Sequence, residues 1–500
     1  MGHSDNLIAE ENPIASIDKF QLVKELLIVL SKESVKYELE DLKPFECDGL
    51  SAYPQVPLVA VLPEIELQVC EVMKICRRYS VPIVFRGAGT GLSGGAIPYE
   101  KGVLFVLSKL NQIIDVDPLS RQAIVEPGVR NAAISEAAAP HKLYYAPDPS
   151  SQIACSIGGN VAENSGGVHC LKYGLTVHNI LRIRFVTIDG EIVEVGSEGL
   201  DSPCYDVLAL ITGSEGLLGV VTQVTVKLLP KPEKAQVAMA AFDDIEKAGL
   251  AVADIIEAGI IPAGLEMMDK KATGAVEQFI GAGYPLDAEA ILLCESDGSR
   301  EEVDDEIARM KEVLFTAGAT EITVSENETH RLQLWAGRKS AFPAVGRILP
   351  DYFCMDGTIP RKTLPKVLKR ISEMEEIYQL QCANVFHAGD GNLHPLIMFD
   401  ANDGDQLERA ERYGAAILEL CVEVGGTITG EHGVGIEKIN QMCTQFDNHE
   451  IQVFLNLKAA FDPDGRLNPG KAIPTLNRCA EFGHMHVHRG SEKFPDLPRF

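Results

Sequence analysis

The first periodic stretch, residues 17–31, carries its apolar side chains at helical spacing and predicts a helix within a lead-in covering residues 1–50. A β-rich region follows. Apolar runs predict strands at 58–62, 81–86 and 102–108, a helix over 66–79, and an alternating strand over 220–228. Pro230-Lys-Pro-Glu233 breaks the pattern, and beyond it strands alternate with helices. Strands are expected at 235–242, 289–294, 381–386 and 395–399, with helices at 244–258, 300–317, 364–377 and 407–423. Val367, Ile371 and Met374 line one face of the 364–377 helix, and Leu407, Ala410, Ile417 and Cys421 one side of the 407–423 helix. Five hundred residues exceed a single core. The pattern therefore divides into a lead-in (1–50), a β-rich domain (51–232), a mixed α/β domain of the ferredoxin-like kind (233–425) and a C-terminal segment (426–500), an α+β class overall.

Three glycine-rich stretches fall in the β-rich domain. In Gly87-Ala-Gly-Thr-Gly-Leu-Ser-Gly-Gly95, the run from Gly89 to Gly94 matches the dinucleotide pattern G-x-G-x-x-G after a strand. That pattern requires a helix next, but Pro98 and the 102–108 strand leave no room for one. Bare backbone N–H groups can instead form an anion-binding nest. The second stretch runs from Ala146 to Gly167 and the third from Gly213 to Gly219. Three such segments imply a long ligand lying against backbone in several places, as a dinucleotide would.

The 384–394 stretch, Asn384-Val-Phe-His-Ala-Gly-Asp-Gly-Asn-Leu-His394, places a tight reversal between two strands, so that His387 and His394 can point at one spot. Two imidazoles seven residues apart serve more often in packing than in ligation. A Gly-flanked Glu431-His432 after one intervening helix shifts the balance to a metal set of two histidines and a carboxylate, which zinc, manganese and iron all accept. Asp390 and Asn392 are expected to shape the reversal.

A net charge of −27 argues against nucleic acid and anionic lipid as partners. No apolar run reaches membrane-span length, so no direct membrane insertion is expected, and Met-Gly-His-Ser-Asp is no signal peptide. Twelve cysteines occur without a Cys-x-x-Cys, which excludes the usual iron–sulfur and zinc-ribbon spacings and predicts reduced thiols in a cytoplasm. The tail His484-Met-His-Val-His488 reads as a segment that packs on a partner or stays exposed rather than as a metal site.

The glycine segments Arg86–Gly95, Ser156–Gly167 and Gly213–Thr222 resemble the FAD domain of the vanillyl-alcohol-oxidase/PCMH flavoprotein superfamily. His387–His394 and Gly430–Gly435 resemble the C-terminal domain of its D-2-hydroxyacid dehydrogenase branch. Asp48–Tyr53, Trp335–Lys339, Met355–Pro360 and Arg478–Gly483 resemble the FAD-binding subunits of bacterial glycolate oxidases. The resemblance implies a PCMH-type FAD domain, a substrate-binding cap and a C-terminal segment that folds back onto the FAD domain. It implies FAD held without a covalent bond, since the 87–95 loop has neither His nor Cys. The residues implied for FAD are Arg86, Gly87, Ala88, Gly89, Thr90, Gly91, Leu92, Ser93, Gly94, Pro147, Ser156, Gly158, Gly159, Asn160, Glu215, Gly216, Gly219, Val221 and Asn468. It further implies His387, His394 and Glu431 as ligands of a divalent metal, His432 as the catalytic base and Arg338 as the carboxylate-binding cation. The implied reaction is oxidation of a small 2-hydroxy acid, glycolate or D-lactate, to its 2-keto acid. Electrons would pass through a second flavin-domain-like subunit and an iron–sulfur subunit towards the quinone pool. The chain is thus expected to be cytoplasmic and peripheral at the inner face of the plasma membrane; a stand-alone D-2-hydroxyacid dehydrogenase is the alternative. A non-haem iron oxygenase would leave the glycine segments without a role, and a purely structural flavin would leave Glu431 and His432 without one.

Overall fold

The computed structural model describes residues 18–199, 204–476 and 478–479; the first seventeen residues and the 484–488 tail lie outside them. Asp18 caps the helix Lys19–Val29 by accepting the N–H of Gln21 at 3.1 Å, and Leu22, Val23 and Leu26 face inward. They pack against the helix Glu66–Arg78, whose Val69, Met73 and Cys76 are fully buried.

A four-stranded sheet comes first, formed by β1 (Val35–Lys36), β2 (Val59–Val61), β3 (Ile83–Arg86) and β4 (Val103–Val106) in the order β1-β2-β4-β3. β2, β4 and β3 run parallel and are apolar because helices and loops cover both faces. No helix joins β3 to β4; the glycine-rich loop and a turn fill the gap, as Pro98 requires. The C-terminal segment returns to this sheet: Ile83 N–H donates to Arg466 O (2.8 Å) and Asn468 N–H to Ile83 O (2.7 Å).

A second, antiparallel sheet contains β5 (Ile113–Asp117), β6 (Gln122–Val125), β8 (Ile180–Val186), β9 (Ile192–Gly196) and β10 (Val220–Lys227), in the order β5-β6-β10-β8-β9. β7 (Leu143–Tyr144) and β11 (Leu229–Pro230) form a small pair beside it.

The cap is a seven-stranded antiparallel sheet of β12 (Lys234–Phe242), β13 (Gly264–Asp269), β14 (Ala290–Gly298), β15 (Glu321–Val324), β16 (Asp351–Cys354), β17 (Gln381–Phe386) and β18 (Pro395–Phe399). Its order is β15-β12-β14-β13-β17-β18-β16. The first four strands are the ferredoxin-like unit the sequence predicts, and three more extend it. β12 shows why this strand reads as continuously apolar. Ala238, Ala240 and Phe242 pack beneath the helices Ile245–Glu257 and Arg300–Thr316, while Val237, Met239 and Ala241 pack against Leu334 and Trp335 on the opposite face. The core is thus three layers deep.

Buried and half-buried polar groups join the cap to the β-rich domain. Lys172 Nζ lies 2.6 Å from Asp297 Oδ1, and His169 bridges Asp148 (2.9 Å) and Glu295 (3.3 Å). The expectation of twelve reduced thiols is corrected: Cys443 and Cys479, both buried, form a disulfide. They meet because the 472–479 segment packs back on 435–443, where Ala472 N–H donates to Gly435 O at 2.9 Å. Among the described residues, no helix is long and apolar enough to cross a membrane.

Candidate active site

A cavity of about 400 Å³ runs between the two domains. Arg86 through Leu92, Ser156, Gly158, Gly159, Asn160, Glu215, Gly216, Gly219 and Val221 line it, and His394, Glu431 and His432 lie on its wall. The glycines keep it open. A Cβ at Gly91 would meet nothing within 4 Å, and one at Gly159 only Ser156 Oγ, at 3.4 Å. Ser156 Oγ and Asn160 Nδ2 are buried on this wall without a protein partner, as expected of a surface that a polar ligand completes. The donor set fits a dinucleotide.

Four residues expected at the cofactor are not on that wall. Ser93 Oγ turns away, donating to Gly433 O (2.9 Å) and accepting from Lys438 Nζ (2.8 Å). A Cβ at Gly94 would strike Ile436. Pro147 O accepts from Asn131 Nδ2 at 3.0 Å. Asn468 Nδ2 donates to the carbonyls of Gly95 (3.2 Å) and Glu215 (2.7 Å), bracing the loops from behind. The sequence reading missed Pro149, Ser150, Ser151, Glu163, Lys339 and Phe342, which do line the cavity. The serines lie inside a small-residue stretch that was already legible as ligand-contacting backbone.

The β17–turn–β18 reversal delivers the histidine pair. His387 N–H donates to Asn392 O (3.0 Å), Asp390 Oδ1 accepts the Asn392 N–H (3.0 Å), and Gly391 takes the left-handed φ of +83° that the turn requires. The ring atoms His387 Nε2 and His394 Nε2 lie 3.2 and 3.0 Å from Glu431 Oε1. Their outer nitrogens are already engaged, His387 Nδ1 with Glu266 Oε1 (2.8 Å) and His394 Nδ1 with Met355 O (3.2 Å). Those acceptors fix Nδ1 as the protonated nitrogen and leave both Nε2 atoms to converge, as metal-ligating histidines are held. Glu431 Oε2 is buried without a partner. Burial pushes the His394 imidazole down, but Cys354 and Glu431 outweigh it and lift it to about 10. Burial likewise opposes charge on Glu431, yet the two histidines hold its carboxyl well below the usual range. Three possible ligand atoms thus converge on one point, and one carboxylate oxygen of Glu431 remains without a partner. A divalent cation fits there.

His432 stacks on His394, with ring centroids 4.9 Å apart and planes 9° from parallel. Its Nδ1 is buried without a partner, and burial pushes the ring down to about 4, keeping it a neutral proton acceptor. Two carboxylates hold its loop. Asp356 accepts the N–H groups of Gly430 (3.0 Å) and His432 (2.9 Å), and Glu215 those of Val434 and Gly435 (both 2.7 Å). Glu215, expected at the cofactor, therefore faces the cavity with its carboxylate committed to this loop. Between the two clamps Gly433 has φ +77°, and a Cβ there would lie 2.0 Å from Glu163 Oε2.

Arg338 departs most from expectation. Its side chain is 1% exposed, and Nε and Nη2 both lie 2.7 Å from Glu266 Oε2. It is neither a solvated helix charge nor a wall residue; it holds Glu266, which holds His387. Its neighbour Lys339 is the one on the cavity wall.

Comparison with known proteins agrees with this geometry. Residues 57–196 match the FAD binding domain family, and residues 231–472 match the C-terminal domain of FAD linked oxidases. The glycolate oxidase subunit GlcD of Escherichia coli K12 is 64% identical over 92% of each chain. GlcD of Bacillus subtilis is 37% identical over 85% of this chain and 91% of its own. Among solved structures, p-cresol methylhydroxylase with substrate bound superposes with a TM-score of 0.77 at 16% identity, covering 92% of this chain and 98% of that one, which supports the shared fold. The glycine-lined cavity and the two matched domains together establish that this chain belongs to the FAD-linked oxidases and is an FAD-dependent oxidoreductase.

Proposed function

We propose that this protein oxidises a small 2-hydroxy acid, glycolate foremost, to the 2-keto acid. The observation that carries the reading is that His394, Glu431 and His432 occupy the same cavity wall system as the glycine loops of the FAD domain. A hydroxy acid in this cavity faces a base and a metal-ligand set while lying beside the flavin. Bound without a covalent link, FAD supplies the acceptor for the hydride that leaves C2. A zinc, manganese or iron ion held by His387 Nε2, His394 Nε2 and Glu431 would lower the pKa of the substrate hydroxyl. His432, neutral and with Nδ1 unpartnered, takes the hydroxyl proton. Arg338, buried off the cavity wall, supports the histidines through Glu266. The buried apolar pair Pro395-Leu396 after the second histidine adds no polar group for a second carboxylate, in keeping with a small acid.

The Escherichia coli relative is named as a subunit. This supports an assembly in which a second flavin-domain-like subunit and an iron–sulfur subunit carry electrons towards the quinone pool and hold the chain peripherally at the membrane. The cysteine spacing here provides no iron–sulfur cluster of its own.

Anaerobic titration with glycolate, D-lactate and L-lactate tests the function. Glycolate should bleach the flavin, and His432→Ala should keep flavin and metal while slowing bleaching by about 10². An enzyme whose flavin stays oxidised with every 2-hydroxy acid would overturn the reading. The isolated chain should reduce an artificial dye readily and dioxygen sluggishly; hydrogen peroxide release as fast as dye reduction would remove the need for partners.

A further inference from the structure

We propose that Lys339 captures the substrate carboxylate at the mouth of the cavity and sets the second-order rate of substrate capture. The inference rests on the reading that the substrate is a small carboxylate anion. With a net charge of −27, the protein as a whole repels such an anion, so productive approach depends on local cations.

Besides its histidines, the cavity wall offers two. Arg86 donates to the carbonyl of Cys47, and its charge is answered by Asp48 beside it. Lys339 is exposed and makes no hydrogen bond or ion pair with any described residue. Against these cations stand the carboxyl groups of Glu163, Glu215 and Glu431 on the same wall. Removing Lys339 would leave the opening without a free positive charge.

Position supports the role. Lys339 is the last residue of the helix Glu328–Lys339, on the wall that also carries Phe342, His394 and His432. Arg338, one residue earlier, points into the cap and is engaged by Glu266. The two adjacent cations therefore divide the work: Arg338 is fixed inside, and Lys339 is free at the opening. Lys339 meets the carboxylate before the hydroxyl reaches His432.

Lys339→Arg, Lys339→Gln and Lys339→Glu, compared by anaerobic stopped-flow reduction of the holoenzyme with glycolate, test this. The second-order rate constant should stay near wild type for Arg, fall about tenfold for Gln and fall further for Glu. The limiting rate at saturating glycolate should stay within about twofold for all three, because the charge acts before chemistry. Added salt should slow capture in wild type, speed it in Gln and speed it more in Glu. A reading without turnover comes from titrating the oxidised enzyme with oxalate and following the flavin spectrum, where Lys339→Gln should raise the Kd about tenfold. A Gln variant with wild-type capture rate, salt slope and oxalate affinity would overturn the proposal. So would a limiting rate that falls in step with the second-order constant. If wild-type flavin is not reduced by any 2-hydroxy acid yet oxalate binding still depends on Lys339, the substrate reading fails while the anion site stands.

Discussion

Glu266→Gln tests the outer support of the histidine pair with a change of one charge and almost no volume. Glu266 is 1% exposed and serves two partners, His387 Nδ1 at 2.8 Å through Oε1 and Arg338 at 2.7 Å through Oε2. Burial opposes its charge, but His387 and Arg338 together hold the carboxyl below its ordinary range. A glutamine oxygen can accept from one partner only, and its amide then turns a donor towards the other. If the oxygen stays with His387, the Arg338 guanidinium is left buried and uncompensated, and breaking a buried pair on one side costs about 3–5 kcal/mol. The same change should weaken metal binding by about 10- to 100-fold, because His387 loses the carboxylate that orients it. Trp335 is the single tryptophan, 5% exposed and packed in the cap, so its fluorescence during urea unfolding reports on this domain. The double variant Glu266→Gln/Arg338→Met should recover part of the loss, since it removes the stranded charge. A loss below about 1 kcal/mol, or strict additivity in the double variant, would refute the account.

His387→Ala and His394→Ala should each abolish metal binding and turnover yet leave FAD content unchanged, because the glycine loops and the histidines belong to different domains; elemental analysis beside the flavin spectrum checks this, and full turnover without metal would contradict the ligand assignment. Asp356→Asn should destabilise the His432 loop by about 2 kcal/mol at neutral pH. Burial raises the Asp356 carboxyl, but His432 and Lys438 outweigh it and hold it at about 2 in the folded protein. Its contribution is therefore present above the unfolded value of about 3.9 and lost as pH falls towards 2. Urea unfolding of wild type and variant should accordingly converge between pH 4 and 2, and a constant gap across that range would contradict the assignment.

What was legible in the chain depended on where each residue's partners lie. β17 and β18 were read to the residue because apolar blocks flank a glycine-rich turn, a local signal. The end of β14 was not: the strand expected at 289–294 stops short of Glu295, Ser296 and Asp297, yet all three are buried strand residues. Glu295 and Asp297 are answered by His169, Lys172 and Tyr173, more than 120 positions upstream. β13 was hidden in the same way, with Glu266 and Asp269 interrupting its apolar run. Arg338 and Lys339 were the one place where local information sufficed but was not followed far enough. Leu334 and Trp335 define the buried stripe of their helix, and one further turn along it falls on 338, not 339. Placing the free cation at 338 put it on the face that the helix period reserves for the core. A charged residue on that face must bring a partner with it, and here the partner is Glu266, the same carboxylate that orients His387. The inward phase of one helix thus connects a residue expected at the substrate to the carboxylate that orients His387, and leaves Lys339 as the exposed charge on the cavity wall.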